Sequence, residues 1–282
     1  MLDFMFRNTL VNKNKLSITA LGLSLCLLCL PAKAATDFYM GGSGTDLGTM
    51  QQIGQAFSKR YPDVTVKIFP SLGSSGGIKA LGASRLDIAL TSRDLKPKEK
   101  RPNIQSKLYA YTPFIFVATP DYARQNVSLI NLQNIYDASS PYWPDGRAAR
   151  IVLRPSSDSD IKILKNSIKG FTKVLQKAYQ RKGKIIAFTD QEAADYAERM
   201  SGAVTTSSLS LIKAEKRNLM PLMIEGIEPS VENLKNGRYQ FKKSLYFIFS
   251  TNPSEHVKHF MEFMKSDTAQ RILLETGHLS VQ

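Results

Sequence analysis

The sequence predicts an α/β protein built from two lobes. Short runs of β-forming residues alternate with amphipathic helical segments along residues 35–282, the pattern of an α/β fold with largely parallel sheets. The connecting loops are short and rich in glycine, serine or proline. The chain has 282 residues, and the part beyond residue 34 suffices for two modest domains with cores of their own.

The N-terminal segment has the pattern of an export signal. Basic residues precede an apolar run at 16–30, and Ala32 and Ala34 place small residues at the cleavage positions. The run is shorter than the roughly 20 residues needed to span a bilayer. We therefore expect residues 1–34 to be a signal peptide cleaved near Ala34, and the mature protein to be periplasmic.

Cysteine and charge narrow the chemistry further. Cys26 and Cys29 both lie in the apolar run, so the exported chain is expected to have no disulfide, no cysteine metal site and no cofactor. Beyond residue 34 the chain carries 34 basic and 23 acidic residues, a net charge of +11, which favours an anionic partner. The basic residues are scattered and no nucleic-acid-binding motif is present, so a nucleic-acid partner is not expected. We expect a monomer.

The first lobe begins with a strand and an amphipathic helix. Helix 47–61 places Met50, Ile53, Phe57 and Tyr61 on one face. The strands around it are apolar or β-branched runs bounded by turn residues, and Pro120 closes the last of them. The predicted elements are strand 37–40, helix 47–61, strand 64–69, helix 78–83, strand 86–90 and strand 113–118.

The remaining elements follow the same alternation, and the last of them return to the first lobe. We expect lobe 1 to comprise residues 35–118 plus 240–282 and lobe 2 residues 119–239. The two crossovers, near 118–122 and within 219–245, would form a hinge. The predicted elements are helix 131–136, strand 151–153, helices 161–169 and 171–181, strand 185–187, helices 190–200 and 208–213, strand 245–249 and helix 254–275.

Three loops share one design, a glycine or serine cluster between the end of a strand and the start of a helix. They are residues 42–46, 71–77 and 156–160. Glycine lets the backbone approach a ligand, hydroxyls donate hydrogen bonds, and a helix N-terminus presents unpaired N–H groups. Arg93 and Arg154 each follow a predicted strand, where a guanidinium can neutralise an anion. The pattern favours an oxyanion site, although helix capping and a surface salt bridge are the structural alternatives.

At these residues the sequence resembles the phosphate-binding proteins of phosphate ABC transporters, which belong to the type 2 periplasmic binding-protein class. The resemblance is carried by Gly73–Lys79 followed by Leu86–Arg93, and it is supported at 41–46, 202–212 and 229–246. It covers essentially the whole chain beyond the signal segment. It implies two lobes that close by hinge motion on phosphate or a related oxyanion, with an ABC permease or a membrane sensor as the partner.

The resemblance also implies particular ligand-binding residues. The chain departs from the family pattern in two places: Ser92 stands where the family often has aspartate, and 158–160 reads Asp-Ser-Asp where the family often has Ser-Gly-Thr. A carboxylate that faces the ligand only accepts a hydrogen bond, so it predicts an oxyanion that carries a proton. With Ser75 and Arg93 added from the loop and arginine arguments, the candidate residues are Thr45, Asp46, Ser74, Ser75, Ser92, Arg93, Arg154, Asp158, Ser159 and Asp160.

Two other functions fit parts of the pattern. A sensory or envelope protein of the same fold would hold a different ligand. A serine hydrolase would use Ser75, since residues 73–77 also satisfy G-x-S-x-G between a strand and a helix. Its base would have to be His256, His259 or His278, and no His-Gly-Gly oxyanion motif is present. The sequence therefore favours binding without catalysis.

Overall fold

The computed structural model describes residues 35–123 and 126–281. The predicted signal peptide, its cleavage near Ala34 and the two cysteines lie outside these residues. Thr36–Gln282 forms one compact unit. Within the described ranges, no helix has the length and apolar character needed to cross a membrane.

Twelve strands are present in the described part of the chain, and ten of them join one sheet. The strands are β1 (Thr36–Gly42), β2 (Val64–Ile68), β3 (Ile88–Thr91), β4 (Ile104–Ala118), β5 (Asn126–Val127), β6 (Arg150–Leu153), β7 (Ile185–Ile186), β8 (Ala203–Ser208), β9 (Met220–Pro221), β10 (Met223–Ile224), β11 (Lys242–Ser250) and β12 (Leu279–Ser280).

Eleven α-helices accompany these strands over the described ranges, together with short 3-10 turns at Gly44–Asp46 and Pro97–Glu99. The helices are α1 (Leu47–Arg60), α2 (Gly73–Gly82), α3 (Pro120–Ala123), α4 (Leu129–Asp137), α5 (Ser159–Ser167), α6 (Phe171–Gln180), α7 (Asp190–Arg199), α8 (Leu209–Ala214), α9 (Val231–Lys235), α10 (Glu255–Phe263) and α11 (Asp267–Glu275).

The main sheet runs in the order β2-β1-β3-β11-β4-β8-β6-β7. In the first lobe, β1 is parallel to β2 and β3, and β11 is antiparallel to β3 and β4. In the second lobe, β6 is parallel to β7 and β8, and β8 is antiparallel to β4. The expectation of largely parallel sheets was wrong for the middle of the sheet, because β4 and β11 cross it in opposite directions to their neighbours.

Strand β4 connects the two lobes. Its first part pairs with β11 as far as Pro113, and from Phe114 to Val117 it pairs with β8 instead. Packing changes at the same place: Tyr109 and Ala110 lie in the core with α1 and α10, whereas Phe114 lies in the core with α4 and α6. Because β11 begins at Lys242, beside Pro113, the two lobe-connecting segments lie next to each other, as a hinge requires.

Each lobe has apolar layers on both faces of its part of the sheet. In the first lobe, Met50, Ile53 and Phe57 on α1 are fully buried against the sheet, as the helical periodicity predicted. The other face packs against Ile78 and Leu86. In the second lobe the corresponding layers are centred on the helices α4 to α6 and on α7 with α8.

Several element bounds differ from the prediction for identifiable reasons. The expected long helix 254–275 is wrong: it is two helices, because the Ser266 side chain accepts a hydrogen bond from the Ala269 N–H and starts a new helix. Strand 113–118 is the end of a strand that begins at Ile104. Helix α2 begins at Gly73, so most of the glycine-serine loop forms its first turns.

Candidate anion-binding site

The cavity between the lobes is small and polar. Its volume is about 180 Å³, below the roughly 300–1,000 Å³ typical of pockets for drug-sized molecules. It lies where α2 and the loop after β3 face the loop after β6 and the start of α5. Seven of the ten residues predicted from the sequence line it: Ser74, Ser75, Ser92, Arg93, Arg154, Asp158 and Ser159.

The other three predicted residues lie beneath the cavity and do not line it. Thr45, Asp46 and Asp160 are all at most 2% exposed, and each is engaged with neighbouring side chains. Other residues of the lining were not among the ten. Ser43 and Ser157 belong to two of the predicted loops, whereas no sequence motif pointed to Phe188 or Asp190. Phe188 is largely exposed, which leaves its ring beside solvent rather than in the core.

Three serine hydroxyls meet at one point of the cavity. Ser92 Oγ lies 3.2 Å from Ser74 Oγ and 2.9 Å from Ser159 Oγ. Ser74 and Ser92 belong to the first lobe, and Ser159 begins α5 in the second. A hydroxyl is both a donor and an acceptor and rotates to suit its partner, so the group can turn its protons towards a bound oxygen atom.

The N-terminus of α2 supplies backbone donors to the same cavity. Its N-cap residue, Leu72, has no side chain that accepts from the first turn. The first N–H groups of a helix have no partner within the helix, and they carry partial positive charge. Gly73, Ser74, Ser75 and Gly76, which form that turn, all line the cavity. An anion placed here would receive donors that no capping side chain occupies.

Two glycines hold α2 close to the first strand. A side chain on Gly77 would put its Cβ 2.8 Å from Gly42 Cα, and one on Gly42 would put its Cβ 2.1 Å from the Leu90 carbonyl oxygen. Gly42 also has φ of 138°, which other residues rarely adopt. The glycine-rich sequence therefore serves the close packing that brings the helix start to the strand ends.

Arg154 is the buried cation of the lining. It follows β6 and is 3% exposed. Its Nη1 donates to the Ala187 carbonyl at 3.1 Å, and its Nη2 lies 3.1 Å from Asp158 Oδ2 and 3.7 Å from Asp190 Oδ2. Burial alone would lower the pKa of Arg154, but Asp190 and Asp158 outweigh burial and raise it. Arg154 Nε has no hydrogen-bond partner among the described residues.

Asp158 accepts two hydrogen bonds and has a raised pKa. Its Oδ1 accepts from the Asp160 N–H at 2.8 Å, which caps α5, and its Oδ2 bonds Arg154. Burial, and then the charge of Asp160, raise the pKa of Asp158 to about 6. A fifth of the side chain is exposed. Near pH 6 the group therefore exists partly as a neutral acid that can donate a hydrogen bond.

Below the cavity lies an ion cluster that the sequence did not reveal. Lys243 Nζ is 2.6 Å from Asp160 Oδ1 and 3.3 Å from Asp190 Oδ1. Burial lowers the pKa of Lys243, but Asp160 and Asp190 outweigh it and raise it. Burial raises the pKa of Asp190, whereas Lys243 and Arg154 bring it below its ordinary value. Asp160 is thus paired with Lys243, and among the described residues Asp158 and Asp190 are the carboxylates that line the cavity.

Asp46 is likewise occupied within the protein. Tyr109 donates its hydroxyl to Asp46 Oδ2, His278 Nε2 lies 3.2 Å from Oδ1, and Ser210 donates to Oδ1 at 3.4 Å. The other ring nitrogen of His278 is 3.1 Å from the Leu273 carbonyl oxygen. The resemblance placed Asp46 at the ligand, whereas these contacts make it part of the support beneath the first loop.

Ser75 and Arg93 form a side wall. Arg93 pairs with both carboxylate oxygens of Glu99, at 2.7 and 2.8 Å, and its Nη2 donates to Ser75 Oγ at 2.9 Å. None of the three histidines, all within the described ranges, bonds to Ser75. His278 bonds Asp46, and His259 stacks on Tyr61 with ring centroids 5.3 Å apart. The arrangement does not assemble a nucleophile and base at Ser75.

The donors of this cavity suit an anion and not a metal. No group of three or more metal-binding side chains occurs in the parts of the chain that the structure covers. Hydroxyls, backbone N–H groups and a guanidinium are all hydrogen-bond donors. Two lobes with such a cleft between them define a type 2 periplasmic binding protein.

Sequence and structure comparisons agree with that class. The profile of the PBP superfamily domain matches residues 31–268, and the chain belongs to this family. It is similar to the phosphate-binding protein PstS of Borreliella burgdorferi, with 24% identity over 250 residues that make up 86% of this chain and 89% of the relative.

Two solved structures share the fold. A protein from Clostridium perfringens, assigned as a phosphate ABC transporter substrate-binding protein and solved with bound phosphate, aligns with a TM-score of 0.74 and 20% identity. The alignment covers 88% of this chain and all of that one. An ABC-type phosphate transport receptor from Vibrio cholerae aligns with a TM-score of 0.60 and 18% identity, over 86% of this chain and 99% of that one. The family is one of binding proteins, in agreement with the expectation that this chain is not an enzyme.

Proposed function

We propose that this chain is a periplasmic solute-binding protein that holds a small oxyanion, phosphate in the first place, between its lobes and delivers it to an ABC permease. The Borreliella relative and both similar structures are phosphate-binding or phosphate-transport proteins by name. The cavity has the size and the donor groups for a small oxyanion. The family resemblance read from the sequence points to the same ligand.

The observation that carries the proposal is the burial of Arg154 together with its Nε–H, unpartnered in the described part of the chain. It is almost fully buried, it lines the cavity, and its Nε–H lacks a partner among the described residues. A buried donor left without a partner costs stability, and a ligand oxygen that accepts from it would remove that cost. The uncapped start of α2 and the Ser74–Ser92–Ser159 hydroxyls face the same space.

The lobe boundaries and the export signal belong to the proposal. We place the lobe crossovers at Pro113 and Lys242, where the pairing partner of β4 changes from β11 to β8. Lobe 1 is then slightly shorter than the expected 35–118 plus 240–282. Residues 1–34 would be the signal peptide, removed near Ala34. The protein would work as a monomer, with its membrane partner contacting the two lobes when they have closed on the ligand.

The ligand would be a protonated oxyanion such as hydrogen phosphate. Arg154 already faces two carboxylates, Asp158 and Asp190, so the positive charge available to a ligand is reduced. An ionised carboxylate in the lining repels an unprotonated dianion but accepts a hydrogen bond from a ligand O–H. Sulfate, which has no proton to donate at neutral pH, should therefore bind more weakly than phosphate.

Calorimetry with phosphate and sulfate near pH 7 tests the function. The protein is first checked by native mass spectrometry for bound anions. We expect phosphate to bind and sulfate to bind much more weakly. Equal affinity for the two would contradict the protonated-ligand proposal. Failure of both to bind wild type, with phosphate binding restored in Asp158→Ser, would favour the second candidate, a sensor of this fold whose carboxylates select a zwitterionic ligand.

A further inference from the structure

A fully buried ammonium lies between the lobes. Lys243 is 1% exposed as a residue, and its side chain is fully buried. Lysine is almost never fully buried unless it is paired, because removal of the charge from water is costly. Such a position therefore requires acceptors built around it.

Lys243 finds three acceptors from both lobes. It donates to Thr45 Oγ1 at 3.3 Å in the first lobe and to Asp190 Oδ1 at 3.3 Å in the second. Its ion pair with Asp160 Oδ1, also in the second lobe, is 2.6 Å long. Two hydrogen bonds and one close ion pair therefore surround the ammonium.

The position of Lys243 on the hinge makes these contacts sensitive to lobe movement. It stands opposite Thr112 in the pairing of β11 with β4, one position before β4 leaves β11 for β8. Leu245 and Phe247, further along β11, lie in the first-lobe core. In the second lobe, Asp160 lies in the first turn of α5 and Asp190 begins α7. Rotation of the lobes about the hinge would carry these carboxylates away from the ammonium.

The same cluster reaches the candidate ligand. Asp190 Oδ1 faces Lys243 while its Oδ2 lies 3.7 Å from Arg154 Nη2. Lys243 therefore reduces the negative charge that Asp190 presents to Arg154. Without Lys243, Asp190 would neutralise the guanidinium more completely and less of its charge would serve an anion in the cavity.

We infer that Lys243 is an internal latch: its ion pairs with Asp160 and Asp190 stabilise the closed arrangement of the lobes, keep Arg154 positioned for the ligand and reduce the extent to which Asp190 neutralises its charge. It is a positioning residue, since it does not line the cavity. The ion pairs of Lys243 supply part of the free energy of lobe closure that a bound anion would otherwise have to supply. They therefore raise anion affinity without a further contact to the ligand.

Small-angle scattering of the anion-free protein tests the latch. The informative variant is Lys243→Met with Asp160→Asn, which removes one charge of each sign and leaves both partners of Arg154 in place. We expect a larger radius of gyration for this variant than for wild type, and a return to the wild-type value on addition of inorganic phosphate. Equal radii for the anion-free proteins, both open or both closed, would overturn the inference.

Matched controls separate the latch from a general loss of structure. Lys258→Met with Glu255→Gln removes an exposed ion pair of the same 2.6 Å length on α10 and should change neither radius nor melting. If the buried double variant does not melt cooperatively, Asp160→Asn alone, which leaves Lys243 its bonds to Thr45 and Asp190, provides a second break, and an unchanged radius there contradicts the latch.

Calorimetry gives a second measurement. It rests on the proposed function, whereas the scattering comparison of the anion-free proteins does not. If loss of the latch changes the anion-free protein from mostly closed to mostly open, the apparent phosphate affinity of the double variant should fall about tenfold. Absence of phosphate binding in wild type would refute the proposed ligand and leave the latch standing on its scattering result. Unchanged affinity in a double variant that has opened would refute the role in positioning Arg154.

Discussion

The two walls of the cavity offer an anion different chemistry. The first-lobe wall consists of serine hydroxyls and the start of α2, and its one arginine, Arg93, is tied to Glu99. The second-lobe wall is ionic, with Arg154 between Asp158 and Asp190. Neutral hydrogen-bond donors bind an anion in any protonation state, whereas an ionic wall distinguishes anions by their charge. The first wall therefore supplies general affinity for oxyanions, and the second decides which of them is accepted.

The largest effect should come from the ionic wall. Arg154→Ala removes the cavity's buried cation and leaves Asp158 and Asp190 without their guanidinium, so anion binding should weaken by about 2–5 kcal/mol, roughly 30-fold or more in Kd. Calorimetry with phosphate measures the change. The control is Arg93→Ala, in which Glu99 loses its partner but Arg154 stays, and which should lose much less. An unchanged affinity in Arg154→Ala would place that residue outside the site.

Titration of Asp158 should make the ionic wall depend on pH. Because its pKa is raised to about 6, the carboxyl is neutral below that value and ionised above it. A neutral carboxyl donates a hydrogen bond to an anion and an ionised one repels it, so sulfate affinity should rise roughly tenfold as pH falls from 7.5 to 5.5. Sulfate is the suitable probe because its own charge does not change in this range.

The matched variant is Asp158→Asn, in which the pH dependence of sulfate binding should disappear. A persistent dependence in this variant would assign the titration to another group. The same raised pKa also affects folding. A carboxyl whose folded pKa lies above its unfolded value binds protons more readily when folded, so its contribution to stability is full below about pH 4 and is lost as pH rises through 6. Thermal melting across pH 4 to 7 in wild type and Asp158→Asn measures that contribution.

A single hydroxyl of the neutral wall should matter less. Ser92→Ala removes the hydroxyl that joins Ser74 and Ser159, and a neutral hydrogen bond contributes about 0.5–1.5 kcal/mol, or roughly two- to tenfold in Kd. Ser92→Ala should weaken phosphate and sulfate binding equally, because a neutral hydroxyl does not distinguish anions by their charge. A loss confined to one of the two anions would show that the first wall also discriminates. Ser140→Ala, at an exposed position, is the control.

The smallest effect is expected at Ser75. The Ser75 hydroxyl accepts a hydrogen bond from Arg93, and none of the three histidines in the described chain bonds to it. We therefore expect no ester hydrolysis by wild type or by Ser75→Ala. The backbone N–H groups of the first turn of α2 are unchanged in this variant. The assay is ester hydrolysis by wild type and variant under the same conditions. Measurable hydrolysis by wild type that vanishes in Ser75→Ala would make the chain an enzyme and overturn the neutral-wall description.

Local pattern was sufficient for most of the elements. The periodicity of Met50, Ile53 and Phe57 predicted α1 and its buried face, because helical spacing and apolar character act within one segment. The start of β4 was missed because three polar residues, Gln105 to Lys107, separate Ile104 from Leu108. Its alternation of half-buried and exposed residues appears only in the structure. The break at Ser266 was missed because amphipathic periodicity continues across it.

The sequence by itself determined the fold class and seven residues of the cavity lining, because glycine-serine loops at strand ends and arginines after strands have local signatures. Only the tertiary structure decided which carboxylates face the cavity. Asp158 and Asp160 are two positions apart and equivalent by motif, yet one bonds Arg154 in the cavity and the other is buried against Lys243, 83 positions further along the chain. The counter-charges of the buried Lys243 come from residues distant in the chain, and no local pattern of sequence records that pairing.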